Sequence, residues 1–183
     1  RISIYITSYN QKQYLSEAIE SALFQTLRPY QIIIIDDDSS DGSQEIIERY
    51  TSDYSDLIVP VFHRRNHGVA DCRVEALQRV TGDLVTSLDG DDRFLPTKLE
   101  REAAALHGDP QAQISFSNVY YIDEAGKRMG QWVDRAKPPS GDVFCQTFGR
   151  DFPKRNLFRS ELVYYQAWQQ IGFHDVKLRN LYE

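Results

Sequence analysis

The run of four isoleucines at positions 32–35 constrains the fold of this 183-residue chain more than any other segment. A strand that is apolar at every position has no polar side to expose, so both of its faces must be covered. The run is also far shorter than the roughly 20 apolar residues that cross a membrane. It therefore predicts an internal strand of a parallel sheet, with helices packed on both faces.

Strand and helix patterns alternate along the first hundred residues. Apolar runs predict strands at residues 2–6, 32–35, 57–62 and 84–88, and a further strand at 114–122. Apolar residues at helical spacing predict three helices with one buried face each. These faces contain Leu15, Ala18, Ile19, Ala22 and Leu23; Ile46, Ile47 and Tyr50; and Val69, Cys72, Ala76, Leu77 and Val80. The alternation predicts an α/β fold, a mostly parallel sheet flanked by helices on both faces.

Residues that begin or end an element refine this prediction. Asn10 is expected to cap the first helix, and Gly82 is expected to close the third. Pro60 predicts that the third strand lies near an edge of the sheet, because proline cannot donate a ladder hydrogen bond. Pro96 predicts the start of a fourth helix. Residues 159–171 predict one more helix.

Composition places residues 1–183 in a single domain of ordinary size. The hydrophobic content of 41% suffices for a core, and the net charge of −6 argues against nonspecific nucleic-acid binding, which needs a basic surface. Cys72 and Cys145 are far apart and form no CxxC motif, which favours free thiols in a reducing compartment. We therefore expect a cytoplasmic chain without a membrane span, and leave open an association with the cytoplasmic face of a membrane.

A cluster of carboxylates ends the fourth predicted strand, in the sequence Ser-Leu-Asp-Gly-Asp-Asp at positions 87–92. Close like charges repel one another, and the usual compensation is a hard divalent cation that prefers oxygen ligands. Asp89, Asp91 and Asp92 are therefore candidate ligands of Mn²⁺ or Mg²⁺. Gly90 lets the backbone turn tightly and a ligand approach closely. The alternative is an acidic turn that only caps the following helix.

Polar residues also follow the first two predicted strands. They are Thr7, Ser8, Tyr9 and Asn10, and then Asp36, Asp37 and Asp38. In open sheets of this class, ligands bind beyond the carboxyl ends of the strands, so neighbouring strands one and four would bring all three clusters into one cleft. Tyr9 is a candidate to stack on a nucleotide base, or it packs at the strand end. Asp37 is a candidate acceptor for the ring N–H of uracil, although at least one of these aspartates is expected to cap a turn.

Basic residues offer two further candidates. Arg73 is a plausible partner for phosphate or for the strand-end aspartates. An ordinary ion pair with Glu75 or Asp71 is an equally good interpretation of the same residue. His63 begins a His-Arg-Arg segment that is predicted to be a solvated loop and not a phosphate clamp.

Four segments resemble motifs of the family 2 glycosyltransferases, which have the Rossmann-like GT-A fold. They are Thr7-Ser8-Tyr9-Asn10, the Ile-Asp-Asp-Asp-Ser-Ser-Asp-Gly-Ser segment at 35–43, the Asn-x-Gly segment at 66–73, and the Asp-x-Asp block at 81–92. They occur in the family's order within about the first 100 residues. Asp38 stands where the family usually has glycine, and Val74 where it often has asparagine.

The resemblance implies an inverting transfer of a sugar from a nucleotide-sugar donor, a UDP-sugar, to an acceptor hydroxyl. It implies Mn²⁺ or Mg²⁺ at the Asp-x-Asp block, with Asp91 at the ribose or the metal. The donor-binding residues would be Thr7, Tyr9, Asn10, Asp37, Arg73, Asp89, Gly90 and Asp91. The donor half would span about residues 1–100 and the acceptor half about 101–183. The expected acceptor is a glycan or a lipid-linked molecule, in polysaccharide or other glycan biosynthesis.

The reaction also needs a general base for the acceptor. In the family this is the aspartate of a Glu-Asp pair that follows a Gly-Phe-x-Asp-like segment, which residues 171–175 and 181–183 resemble. The sequence ends at Glu183, where the next residue would be that aspartate, so we expect an acceptor half truncated at its C-terminus. Glu183 is the candidate catalytic residue, because Asp175 fits a loop or cap position better.

Two other functions are compatible with the same motifs. One is a binding module that holds a nucleotide-sugar without turnover. The other is a metal-dependent phosphohydrolase that uses the same carboxylates on a parallel sheet. The sequence lacks an Asp-x-Asp-x-Thr nucleophile block at a strand end, which argues against the second function.

Overall fold

A six-stranded sheet forms the centre of the computed structural model, which describes residues 1–133, 140–143 and 160–173. The strands are β1 (Ile2–Ser8), β2 (Gln31–Asp36), β3 (Ile58–Phe62), β4 (Leu84–Asp89), β5 (Ile114–Ser115), β6 (Tyr120–Ile122), β7 (Arg128–Gln131) and β8 (Leu162–Tyr164). The sheet order is β3-β2-β1-β4-β8-β5, and β6 and β7 form a separate hairpin. The first four strands are parallel, whereas β8 is antiparallel to its neighbours β4 and β5. The predicted mostly parallel sheet is confirmed.

One helix follows each of the four parallel strands along the chain, and a fifth follows β8. They are α1 (Lys12–Leu23), α2 (Ser43–Asp53), α3 (Val69–Gln78), α4 (Lys98–Gly108) and α5 (Tyr165–Ile171). β1 lies between β2 and β4, which confirms the predicted adjacency of the first and fourth strands. β3, which contains Pro60, lies at the edge of the sheet as predicted. Within the described ranges, no helix combines the length and apolar character needed to cross a membrane.

The isoleucine run of β2 is buried on both faces. Ile32 and Ile34 pack in the cluster that includes residues of α1, α2 and α4, whereas Ile33 and Ile35 pack against α3. All four side chains are 0% exposed. Because each buried isoleucine stabilises the fold by roughly 1.5–3 kcal/mol, this strand anchors the sheet between its two helical layers.

The predicted helix cap at Asn10 is wrong. α1 begins at Lys12, and its first amides are capped by the loop that follows β2. The Lys12 amide donates to Asp41 Oδ2 over 2.8 Å, and the Gln11 amide donates to Ser43 Oγ over 3.2 Å. Asn10 has a left-handed backbone, with φ of 52°, and its side-chain oxygen accepts a hydrogen bond from the Ser40 amide. Asn10 therefore ties the turn after β1 to the loop after β2.

The predicted closure of α3 by Gly82 is also wrong, because α3 ends at Gln78 and the Arg79 amide satisfies its last turn. Gly82 packs against β1 instead, where its amide donates to Ser3 Oγ over 3.0 Å. A Cβ at this position would lie 2.8 Å from the same oxygen. The glycine is therefore required by close backbone packing. The fourth helix begins at Lys98, two residues after Pro96.

Two predictions in the second half of the chain merge elements that the structure separates. Residues 114–122 form β5 and β6, which belong to different sheets. Residues 159–171 contain β8 as well as α5, because residues 162–164 pair with β4 and β5. Helical spacing alone does not reveal such pairing, since the partner strands are distant in sequence.

Candidate functional site

Three neighbouring strands deliver polar side chains to one edge of the sheet, which we call the strand-end site: the residues at and just after the ends of β1, β2 and β4. The ladder aligns Ser8 with Asp36 and Thr7 with Asp89. The Thr7 hydroxyl donates to Asp89 Oδ1 over 3.3 Å. The three polar clusters therefore lie side by side, as the sequence predicted for neighbouring strands.

Arg73 reaches the strand-end site from α3. Its Nη2 donates to Asp89 Oδ1 over 3.1 Å, so the predicted pairing with a strand-end aspartate is confirmed. Burial is the largest influence and acts to lower the pKa of Arg73, but the charges of Asp89 and Tyr5 and the hydrogen bond to Asp89 together outweigh it and raise the pKa. The Nε atom of Arg73 is buried and makes no hydrogen bond within the described part of the chain. The Arg73 side chain is 23% exposed, so its guanidinium can also meet an anionic ligand.

The carboxylates after β4 differ in their surroundings. Asp89 is partly buried against Arg73, whereas Asp91 and Asp92 are exposed. Asp91 also lines a cavity of about 790 Å³, together with Asn10 and Lys12. Among the described residues, these three carboxylates do not form a group whose oxygens lie within 4.8 Å of one another. An all-oxygen set of this kind still fits Mg²⁺ or Mn²⁺, because such ions take one or two protein carboxylates and complete their shell with phosphate and water.

Gly90 permits close packing of the protein with itself. A Cβ at this position would lie 2.3 Å from the Gln11 side-chain oxygen and 3.0 Å from the Thr7 carbonyl. The Gly90 amide donates to that carbonyl over 2.9 Å. The side-chain position of this Cα is filled by Gln11 and β1, so the protein's own packing requires the glycine, and the approach of a ligand to its backbone stays a prediction.

Tyr9 is 51% exposed at the mouth of the site, so the alternative that it packs at a strand end is wrong. Its ring is free to meet a planar ligand. Asn10 stands beside it but uses its side-chain oxygen for the Ser40 amide and its own amide for Ser39 Oγ. The contribution of Asn10 in the structure is therefore to hold the loop after β2.

Asp37 is buried and already makes three hydrogen bonds with the protein. Its Oδ1 accepts from His63 Nδ1 over 2.6 Å and from the His67 amide over 2.9 Å, and its Oδ2 accepts from the Gly68 amide over 2.8 Å. Burial acts to raise the pKa of Asp37, but these hydrogen bonds outweigh it and lower the pKa. A carboxylate has about four acceptor positions, so these three hydrogen bonds do not use all of them.

The other aspartates after β2 shape the turn. Asp36 is 0% exposed, and its Oδ1 accepts hydrogen bonds from the Ser39 amide and from Gln44. This confirms that one aspartate of the group caps a turn. Asp38 has a left-handed backbone with φ of 69°, a conformation that glycine adopts freely and aspartate tolerates better than most residues. The turn therefore keeps its shape without the usual glycine.

His63 was not singled out as a functional residue by its sequence context. The segment 63–65 is a loop with Arg64 and Arg65 exposed, as predicted, but the side chain of His63 is not solvated. Its side chain is 10% exposed and lies between Asp37 and Glu75. Nδ1 faces Asp37 Oδ1 at 2.6 Å, and Nε2 faces Glu75 Oε2 at 2.8 Å. The only sequence signal is a histidine directly after a strand, because Glu75 lies on another element.

Asp37, His63 and Cys72 bring ligand-type atoms within 4.8 Å of one another. Both ring nitrogens of His63 face carboxylate oxygens, so both carry protons and neither offers a lone pair to a metal. Burial raises the pKa of the Cys72 thiol, and the Asp37 charge adds to the increase. The thiolate that a metal would need is disfavoured. We therefore interpret this cluster as a hydrogen-bonded unit and not as a metal site.

A buried ion pair lies behind the sheet and was also missed. Lys98 Nζ donates to Glu102 Oε2 over 2.7 Å and to Thr86 Oγ1 over 3.0 Å. Burial lowers the pKa of Lys98 and raises that of Glu102. The i,i+4 spacing of Lys98 and Glu102 on α4 was the available sequence signal. Candidate residues Glu183 and Asp175, and also Cys145, lie outside the described residues.

Known proteins resemble this chain in sequence and in fold. The family model described as Glycosyl transferase family 2 matches residues 3–174. The cholesterol galactosyltransferase of Borreliella burgdorferi is 38% identical over 172 residues, which cover 94% of this chain and 39% of that protein. The chain spans 31% to 54% of the length of the first curated relatives that it matches.

Two solved structures share the fold. The crystal structure of S. aureus TarS in complex with UDP has a TM-score of 0.74 and 18% identity, and the match covers 98% of this chain and 51% of that one. The mannosyltransferase PcManGT of Pyrobaculum calidifontis, in complex with GDP-Man and Mn²⁺, has a TM-score of 0.69 and 16% identity, with coverage of 96% and 48%. At these identities the likeness shows the fold, which is the GT-A arrangement of a mainly parallel sheet between helices.

Proposed function

Because the chain belongs to glycosyl transferase family 2, we propose that it transfers a sugar from a UDP-sugar to an acceptor hydroxyl with inversion. The observation that carries this proposal is the convergence of Thr7, Arg73 and Asp89 at the strand-end site. A partly exposed cationic side chain beside carboxylates suits a diphosphate and a divalent cation that bind together. TarS, which has this fold, has been crystallised with UDP and with UDP-GlcNAc.

Each residue of the strand-end site has a proposed role. Tyr9 stacks on the base, and the remaining acceptor position of Asp37 receives the ring N–H of uracil. Arg73, whose side chain is 23% exposed, binds a phosphate oxygen. Asp89, Asp91 and Asp92 would hold Mn²⁺ or Mg²⁺, with Asp91 at the ribose or the metal. When bound, that cation would neutralise the diphosphate and stabilise the departing nucleotide.

The division of the chain is part of the same proposal. About residues 1–100 form the donor half of a single GT-A domain, and about residues 101–183 form the acceptor half. Glu183 marks the position of the general base. We further propose a glycan or lipid-linked acceptor in polysaccharide biosynthesis and a cytoplasmic site of action, which the two widely spaced cysteines favour.

Calorimetric titration of UDP, and separately of GDP, with and without Mn²⁺ tests the donor site. We expect UDP to bind in a metal-dependent way and more tightly than GDP. Asp91→Asn should weaken the metal-dependent part by about tenfold or more, which corresponds to about 1.4 kcal/mol. Asp56→Asn is the matched control, because Asp56 is an exposed carboxylate just before β3, at the opposite end of the strands.

Three outcomes separate the possible functions. Metal-dependent UDP binding, followed by release of UDP from a UDP-sugar when an acceptor is added, would support the transferase. Binding without turnover across many acceptors would favour a binding module. If the wild-type protein binds neither nucleotide in either condition, or if it hydrolyses simple phosphoesters, the proposed function is wrong.

A further inference from the structure

The side chain of His63 links the donor site to α3 through two carboxylates, and we call Asp37, His63 and Glu75 the acid–histidine–acid triad. The distances are 2.6 Å from His63 Nδ1 to Asp37 Oδ1 and 2.8 Å from His63 Nε2 to Glu75 Oε2. A carboxylate accepts hydrogen bonds, and at physiological pH it has none to donate. Both ring nitrogens must therefore donate, which makes His63 an imidazolium cation between two anions.

Asp37, which is held by His63, also binds the loop that leads into α3. The same Oδ1 that receives His63 also accepts from the His67 amide, and Oδ2 accepts from the Gly68 amide. The Asn66 side chain adds a bond to the Asp37 carbonyl over 3.3 Å. Gly68 precedes the first residue of α3, the helix that carries Arg73. The orientation of the Asp37 carboxylate is thus coupled to the loop 66–68 on one side and to His63 on the other.

On the premise of the proposed function, we propose that protonated His63 is a positioning residue for the nucleotide, because it fixes Asp37 and the 66–68 loop in the geometry that binds the donor. Neutral His63 has only one N–H, so it must release one of the two carboxylates. If it releases Asp37, that carboxylate loses its fixed orientation beside the base. Nucleotide affinity should then fall as His63 loses its proton.

Other ionisable groups lie near the triad and influence the pH at which His63 loses its proton. Glu75 also pairs with Arg79 over 2.6 Å, and the His67 ring lies 4.8 Å from the His63 ring, between centroids. Among the described residues, the other ionisable or charged groups beside the triad are Arg65 and His67 from the loop, Asp71 and Cys72 from α3, and Arg79, the residue after α3. Burial acts to lower the pKa of His63, but the hydrogen bonds and charges of Asp37 and Glu75 outweigh it and raise the pKa.

The sign of the pH effect follows from that direction. The pKa of His63 in the folded protein lies above its ordinary value of about 6.5, so the imidazolium is lost only as the pH rises through this raised pKa. If only the protonated form binds, the Kd for UDP should rise about tenfold for each pH unit above that pKa.

His63→Asn is the decisive variant. The asparagine amide is expected to replace Nδ1–H as a donor to Asp37, and it does not titrate. The variant should therefore bind UDP at high pH better than the wild type does. Its Kd for UDP should change with pH only as far as UDP itself titrates. His63→Leu, which cannot donate at all, should bind weakly at every pH. His107→Asn is the matched control, because His107 is an exposed histidine on α4.

The experiment is a series of UDP titrations by calorimetry in Mg²⁺ from pH 6 to pH 9, on the wild type and on all three variants. Titration of UDP itself cancels in the ratio of wild-type to His63→Asn affinity at each pH. We expect this ratio to fall with rising pH, and we expect NMR of the ring to place the His63 pKa at the same midpoint. Glu75→Gln should move both midpoints to lower pH, which provides a second test if His63→Asn does not fold.

The failures are distinguishable. Parallel profiles for the wild type and His63→Asn would overturn the positioning role of His63 and leave nucleotide binding standing. An NMR midpoint that does not coincide with the change in Kd would overturn it as well. If the wild type binds no UDP at any pH, the proposed function is wrong, and the proposed role of His63 is wrong as well.

Discussion

The end of β2 and the end of β4 each carry three carboxylates, and the two ends differ in what neutralises them. At the β2 end, Asp36 and Asp37 are 0% and 4% exposed, and protein donors bind both. At the β4 end, Asp91 and Asp92 are exposed, and Arg73 pairs only with Asp89 among the residues for which contacts are described. The buried carboxylates of the β2 end therefore build the shape of the site, whereas Asp91 at the β4 end is exposed to a ligand.

The largest expected effect is on stability, where the two ends should differ most. Asp37→Ala leaves an imidazolium and two backbone amides without their acceptor, and removing one partner of a buried charge pair costs about 3–5 kcal/mol. Asp91→Ala should change the free energy of unfolding by no more than about 0.5 kcal/mol. Urea denaturation of the two variants gives the comparison, and equal losses would contradict it.

Function should depend strongly on the exposed carboxylates of the β4 end, whose effect on stability is small. Asp91→Ala and Asp92→Ala should each lower metal-dependent turnover of a UDP-sugar by more than about tenfold, or about 1.4 kcal/mol, while the fold stays intact. The measurement is the initial rate of UDP release over a Mn²⁺ titration, with circular dichroism to check folding. Wild-type-like turnover by both variants would exclude the β4 end as the metal site.

Gly90→Ala sharpens the comparison within the β4 end itself. The added methyl would meet the Gln11 oxygen and the Thr7 carbonyl, so we expect a loss of about 1 kcal/mol, because the flexible Gln11 side chain can partly withdraw. Gly108→Ala, at a glycine with no atom within 4 Å of an added Cβ, is the control and should show no loss. A stable Gly90→Ala protein would mean that this turn relaxes freely.

The smallest expected effect is the pH dependence of stability from the β2 end. Asp37 has a lowered pKa, so its contribution is present above its ordinary pKa of about 3.9 and is lost as the pH falls through the folded value. His63 has a raised pKa, so its contribution is present below about 6.5 and is lost as the pH rises through the folded value. Thermal denaturation from pH 3 to pH 9 should show both losses in the wild type. The loss at high pH should be absent in His63→Asn.

Local patterns were enough to predict the first half of the fold. The apolar run at residues 32–35 and the helical spacing of Leu15, Ala18 and Ile19 are properties of short segments, and both were confirmed. The adjacency of the first and fourth strands followed from general rules for parallel sheets. The sequence alone was therefore enough to predict that the clusters at the strand ends lie close together.

Contacts between distant segments could not be predicted in this way. His63 and Glu75 are twelve residues apart on different elements, so no periodicity links them. The Asn10 cap was wrong because a better set of acceptors, Asp41 and Ser43, arrives from the next loop. Lys98 and Glu102 are different, because their i,i+4 spacing was visible, but spacing alone does not say that a pair is buried.

The capping of α1 by the loop after β2 has a consequence for how the chain folds. The acceptors for the Gln11 and Lys12 amides lie about 30 residues further along, in the loop that opens α2. An isolated helix of this length is marginal in water, so α1 gains its first turn only when β2 and the start of α2 have docked. The first two βα units should therefore form together as one cooperative nucleus, and a fragment that ends after α1 would not retain its helix.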